Sequence, residues 1–238
     1  MNAFRRPSWL ALALLAVGVA VTVAAGLWQY GKAQYKRERE ARWADARQSM
    51  AIPLARALER DASAFDRVAV TGTFVPQRYL LDNQIKDGRA GIEVFAPMRS
   101  DASTIVLVAL GWLPYADAQR QLPLLPALPT DQVDLTGMLA PPPAHGLRLG
   151  RDWAKQAGYP KLMPYFALDE IEFDAGFDLA PRILRVDATP DSPYRRDWRP
   201  VDAMPPARHL AYAWQWWSLT AAIILIFFIV HRKGGRMS

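Results

Sequence analysis

The chain has 238 residues, of which 51% are hydrophobic, and a formal net charge of +6 at pH 7. It contains no cysteine, which excludes disulfides, thiolate metal sites, c-type haem attachment and a cysteine nucleophile. The positive charge does not indicate nucleic-acid binding, because Lys and Arg residues flank two apolar segments. That position suits the anionic head groups of a lipid bilayer.

The first apolar segment predicts a transmembrane helix over residues 9–29, after a cytoplasmic N-terminus of residues 1–8. The segment carries no charge, and as a helix it is roughly 31 Å long, about the thickness of a bilayer's hydrocarbon core. Gly18, Thr22 and Gly26 recur every four residues, which favours close packing of this face against another helix.

A cleaved signal peptide is the alternative for this segment. The basic start and the run Ala24-Ala25-Gly26 resemble a signal sequence with its cleavage site. The apolar stretch is longer than an ordinary signal core, and a second apolar stretch lies near the other end of the chain. We therefore expect an uncleaved anchor.

Residues 30–208 predict a periplasmic α+β domain. Residues 31–48 are charged and rich in Ala, so we expect them to continue the first helix into water. Alternating apolar residues then predict six strands, at 67–75, 78–85, 91–98, 104–113, 132–139 and 181–186. Asp87-Gly88 is typical of a hairpin turn. The order favours a mainly antiparallel sheet or small barrel, and residues 188–208 a rigid linker.

The second apolar segment predicts a transmembrane helix over residues 209–230, followed by a basic tail of residues 231–238. A buried core helix is the alternative, but about twenty uncharged residues before His231-Arg232-Lys233 are more typical of a membrane span. Two spans place both termini on one side. We expect that side to be the cytoplasm of a bacterial inner (cell) membrane.

Common catalytic motifs are missing from the sequence. It has no phosphate-binding loop, dinucleotide fingerprint, zinc-protease motif or serine elbow, so we expect no enzyme. Three scattered histidines are too few for a zinc site. His145, in a Pro-rich turn, is interpreted as a surface residue, and His231 as an interfacial one.

His209 begins the second span and shares a helix face with Tyr212, Ala213, Trp216 and Trp217. An imidazole beside aromatic side chains suits a flat apolar cofactor held through its metal. An interfacial aromatic belt with a histidine reaching toward water explains the same pattern. The residues alone leave both readings open.

The chain resembles the surfeit-locus-protein-one family of cytochrome c oxidase assembly factors. The motifs that carry the resemblance are Gly26-x-Trp28-Gln29-x-x-Lys32, Leu81-Asp82-Asn83, Gly111-Trp112, Arg196-Asp197-Trp198 and His209-Leu210-x-Tyr212-Ala213-x-Gln215-Trp216-Trp217. The sequence departs from the family pattern at Gln84, Ile92, Ala109, Leu110 and Ala207. If the family's Arg and Asn residues at these positions contact a partner or the haem propionates, that contact is altered in this chain.

The resemblance implies a non-enzymatic assembly factor that binds or delivers haem A to cytochrome c oxidase subunit I. It implies His209 as the ligand of the haem iron, with Tyr212 and Trp216 near the macrocycle and Trp28 and Gln29 facing it. Haem A synthase is a further implied partner. The alternative is a membrane scaffold without haem that stabilises an oxidase assembly intermediate.

Overall fold

The computed structural model describes residues 6–143, 152–199 and 204–232. The chain forms two compact units, a helical unit (residues 1–41 and 202–238) and a sheet domain (residues 42–201). The prediction for His145 lies outside the described residues, as do parts of the predicted terminal segments. The helices are α1 (Trp9–Gln48), α2 (Leu54–Leu58), α3 (Leu168–Ala175) and α4 (Pro206–His231).

Two of these helices, α1 and α4, are long and apolar enough to cross a membrane. Helix α1 runs on to Gln48, which confirms that the charged residues after the apolar segment stay helical. Helix α4 starts with Pro206, whose fixed φ angle and missing N–H group suit a first helical position. The boundaries of the predicted spans within these helices stay predictions.

The face of small residues on α1 packs against α4, as the sequence predicts. Gly18 faces Ile223, and the hydroxyl oxygens of Thr22 and Thr220 lie 2.7 Å apart. A Cβ atom added to Gly26 would lie 2.2 Å from Nε1 of Trp217. Small side chains therefore allow close approach of the two helices, and a hydrogen bond joins them where the surroundings are apolar.

In its described residues the sheet domain contains eight strands, β1 (Ile52–Pro53), β2 (Asp66–Phe74), β3 (Tyr79–Lys86), β4 (Arg89–Ser100), β5 (Ile105–Pro114), β6 (Val133–Ala140), β7 (Lys161–Met163) and β8 (Ile183–Val186). Their order in the sheet is β1-β2-β6-β8-β5-β4-β3-β7, with a further short pairing of β2 with β4. Most pairings are antiparallel, and the parallel ones join β1 to β2, β3 to β7 and β5 to β8. The α+β prediction is confirmed, and the sheet is not a clear barrel.

The six predicted strands correspond to β2–β6 and β8. The hairpin is also confirmed, since Lys86 pairs with Arg89 and the turn residues Asp87 and Gly88 have φ angles of 48° and 74°. Positive φ at both central residues matches the twist of the flanking strands. The sequence did not predict β1 and β7, because two or three residues are too short to show a periodic pattern.

The sheet is covered on both faces. Residues such as Val94, Val108 and Leu184 form one core cluster, while Phe95 and Leu107 belong to a second cluster with side chains of α3. Strand β5 is therefore buried along nearly its whole length. Burial on both faces explains its almost continuous apolar sequence.

Candidate functional site

His209 lies on the side of α4 that faces α1, and only 8% of its surface is exposed. Its Nδ1 atom is 2.7 Å from Oε1 of Gln29 on α1. An amide oxygen can only accept a hydrogen bond, so Nδ1 donates, and Nε2 carries the lone pair of the neutral ring. This is the tautomer in which a second residue orients a histidine for metal ligation through Nε2.

Neighbouring contacts hold this part of α4 against α1. Ala33 and Ala213, about one turn along their helices from the two bonded residues, are completely buried. One turn farther along α1, Lys36 donates a hydrogen bond of 2.6 Å to the carbonyl oxygen of Met204, just before α4 begins. The position of the His209 ring is therefore fixed by packing and by a defined hydrogen bond.

The aromatic residues predicted to surround His209 differ in exposure and in location. Tyr212 is 39% exposed, and Trp216 is partly buried on the same helix. Trp28 is 59% exposed and lines an open groove with Gly31, Lys32 and Tyr35. The structure thus brings Gln29 and His209 together, whereas Trp28 lines a groove formed by α1 residues only.

Trp217, which the sequence placed on the same helix face as His209, packs between the two helices. Its ring packs on Gly26, and its centroid lies 6.1 Å from that of Tyr30. The spacing of small residues on α1 was the signal available in the sequence, because a glycine in a helix interface leaves room for a large side chain opposite.

The donor chemistry of His209 suits haem iron, but the packing around the histidine leaves no access for haem. The Nδ1 hydrogen bond prepares Nε2 to bind iron, but Nε2 is itself buried. A group as large as haem would need open space beside Nε2. Haem ligation at His209 therefore requires local separation of α1 from α4.

Glu93 is a charged residue of the sheet domain that the sequence did not single out. Burial on the face of β4 raises its pKa, while the charges of Arg185 and Lys86 partly offset the effect and that of Asp197 adds to it. Lys86 forms an ion pair of 2.6 Å with Asp197. Within the described ranges, no group of acidic, His or Cys side chains has the arrangement of a metal site.

Three departures from the family pattern lie in the interior of the sheet. Ile92 and Ala109 are completely buried, and Leu110 is 5% exposed. The backbone oxygen of Gln84 accepts a hydrogen bond of 2.8 Å from the indole N–H of Trp112, a contact that does not depend on the side chain of residue 84. Ala207 lies in the first turn of α4.

Comparison with known proteins gives consistent matches. A sequence model of the SURF1 family matches residues 16–221. Uncharacterized SURF1-like proteins of Mycobacterium bovis and Mycobacterium tuberculosis are 35% identical over 147 residues, which cover 56% of this chain and 52% of theirs. The chain thus spans about half the length of these relatives. A SURF1-like protein of Monosiga brevicollis is 26% identical over 99% of this chain and 93% of its own.

The family match begins inside the apolar part of α1 and ends inside α4, so it includes part of each helix of the pair and the whole sheet domain. It also includes Gln29 and His209. Because well over half of the sequence fits the family pattern, this chain belongs to the SURF1 family.

Proposed function

We propose that this protein is an assembly factor for haem-copper cytochrome c oxidase that acts on subunit I in the membrane. The family is generally one of oxidase assembly factors, and two helices of this chain are able to cross a bilayer. Its role is to stabilise and load a partner, not to catalyse a reaction. Haem A synthase is a further partner in this proposal, as the source of the cofactor.

In the proposed topology both termini are cytoplasmic and the sheet domain is periplasmic. The basic residues beyond α4 and near the N-terminus support this orientation, because short basic flanks are retained in the cytoplasm. The proposed segments keep the predicted boundaries, with spans at 9–29 and 209–230. Accessibility of cysteines introduced into this cysteine-free chain measures the orientation directly.

The finer proposal is that His209 ligates the iron of haem A. The observation that carries it is the hydrogen bond from Nδ1 to Gln29, which sets the tautomer that ligation requires. Gln29 orients the ring, and Tyr212 and Trp216 flank the histidine on α4. When bound, haem A would supply a redox-active iron that accepts an imidazole nitrogen.

One observation favours the alternative, a scaffold without haem. Nε2 of His209 is buried between the two helices, and the Gln29–His209 bond links them directly. In that case the pair serves to hold α1 against α4, and His209 contributes to helix pairing only. The two functions differ in whether the purified protein absorbs visible light.

The test is to purify the full-length protein from cells that make haem A, with three variants. His209→Ala removes the ligand, Gln29→Leu removes only its orienting partner, and His231→Ala is the matched control, a histidine at the other end of the same helix. We expect a Soret band in the wild type and the control. It should be absent in His209→Ala and weaker in Gln29→Leu, since loss of an orienting partner typically lowers affinity about 10–100-fold.

Equal haem content in His209→Ala and wild type would remove the ligand assignment. A colourless wild type whose deletion lowers oxidase activity would establish the scaffold instead. Unchanged oxidase activity and membrane haem A after deletion of the gene would remove the assembly function altogether.

A further inference from the structure

The sheet domain contains a half-enclosed cavity of about 140 Å³, which we call the sheet pocket. One wall is the Pro-rich segment 123–129, and the floor is formed by strands of the sheet. The lining is mostly apolar, including Phe74, Leu110, Leu128, Val133, Leu135 and Val186. Two polar side chains, Tyr194 and Arg196, complete it.

A short backbone pairing places these two polar residues. The N–H and carbonyl groups of Arg195 both bond to Trp112, each at 2.9 Å. Tyr194 and Arg196, on either side of Arg195, therefore point to the same side of this extended segment. Gly111 permits the approach, because it has a φ angle of 134° and an added Cβ would lie 2.7 Å from Cβ of Tyr194.

The guanidinium group of Arg196 is half-buried and bonded only to neutral oxygens. It donates to the carbonyl oxygens of Leu110 at 2.7 Å and Asp187 at 3.0 Å. The carboxylate of Asp187 attracts Arg196 but accepts its hydrogen bond from Arg67 instead. Burial lowers the pKa of Arg196, and the charge of Asp187 acts in the opposite direction.

Tyr194 adds a buried hydroxyl group. Within the residues that the structure describes, its O–H has no acceptor at hydrogen-bond distance, although the side chain of Arg78 lies next to its oxygen. Burial raises its pKa, and the charges of Arg78 and Arg196 both act in the opposite direction, so two cations lie near the hydroxyl. Arg78 donates to the carbonyl oxygen of Pro126 at 2.7 Å and, in the described part of the chain, forms no ion pair. A buried hydroxyl donor beside two guanidinium groups, neither of which is hydrogen-bonded to a carboxylate in the described residues, favours an anion at this place.

We propose that the sheet pocket binds a carboxylate joined to a compact branched apolar group. A C-terminal Leu residue of a polypeptide and a short branched fatty acid share this chemistry. The two oxygens of a carboxylate match the paired N–H groups of a guanidinium and leave a lone pair for the tyrosine hydroxyl. The apolar lining accommodates the branched group, whereas a phosphate needs more donors than these side chains offer.

The experiment measures binding to the full-length protein in detergent by calorimetry. The probes are N-acetyl-leucine, which represents a polypeptide C-terminus, 4-methylpentanoate, which represents a fatty acid, and two controls, N-acetyl-leucine amide and inorganic phosphate. We expect the amide to bind at least about tenfold more weakly than N-acetyl-leucine, because it lacks the charge that Arg196 attracts. The tighter of the two acids identifies the natural source.

Two variants of the same strand separate pocket binding from unfolding. Val133→Phe fills the pocket and should abolish binding, while Thr136→Phe adds the same ring at an exposed position of β6 and should leave binding unchanged. Arg196→Gln should weaken binding of the acids and leave that of the amide nearly the same. The proposal would be overturned if N-acetyl-leucine and its amide bound equally well, or if phosphate bound more tightly than either acid. Undiminished binding of the acids to Val133→Phe, or no binding to the wild type, would overturn it as well.

Discussion

The packing of Gly26 against Trp217 predicts that a single methyl group weakens the pairing of α1 with α4. In Gly26→Ala the new Cβ would lie 2.2 Å from Nε1 and 2.5 Å from Cδ1 of the indole ring. Gly31, on the same helix, has nothing within 4 Å of the corresponding position. Gly31→Ala is therefore the matched control, with the same change of helix propensity and no steric conflict.

The magnitude follows from the difference between the two variants. Overpacking lowers stability by about 1–3 kcal/mol when neighbouring side chains must shift. Replacing a helical Gly by Ala raises helix stability by up to about 1 kcal/mol, and this gain is the same in the two variants. We expect Gly26→Ala to be less stable than Gly31→Ala by about 1–3 kcal/mol. Since about 1.4 kcal/mol is tenfold, this is a change of roughly 5- to 150-fold in the pairing equilibrium.

The assay uses the absence of natural cysteine. Fluorophores attached to cysteines introduced at Ser8 and Arg232 report the distance between the helix ends while the micelles are titrated with SDS. Gly26→Ala should separate at lower SDS than Gly31→Ala. Coincident transitions for the two variants would refute the close approach of α1 and α4 at Gly26.

Two further predictions concern the sheet domain. Arg182 is completely buried and forms an ion pair of 2.7 Å with Asp66. Arg182→Met leaves that buried carboxylate without its buried partner and should lower the free energy of unfolding by about 3–5 kcal/mol. Arg60 pairs with the same carboxylate but is exposed, so Arg60→Ala should lower it by less than about 1 kcal/mol. Thermal denaturation measures both, and equal losses would contradict the assigned burial. Burial raises the pKa of Glu93 above its ordinary value of 4.5, so the cost of its charge appears as pH rises through the raised pKa. Glu93→Gln should therefore raise the melting temperature more at pH 8 than at pH 5, and a gain that does not change with pH would contradict the assignment.

Local features of the chain were predictable because their causes are local. Two long uncharged segments, an Asp-Gly turn at 87–88 and alternating apolar residues determine helices, a hairpin and strands through hydrophobic periodicity and backbone conformation. The row of small residues from Gly18 to Gly26 is also a local signal. It predicts that this face packs against a helix, but it does not identify that helix. Gln29 and His209 were singled out only through the resemblance and the helix face of His209.

Only the tertiary structure determines which residues far apart in the sequence come into contact. The hydrogen bond from His209 to Gln29 joins positions separated by 180 residues. The spacing of small residues on α1 marks the face that packs on a helix, but it does not say which residues of α4 lie opposite them. Strands β1 and β7 exist because longer strands offer them paired edges, and their own few residues carry no signal. The sheet pocket likewise depends on Tyr194 and Arg196 being brought to β5 by backbone pairing, a non-local contact that only folding creates.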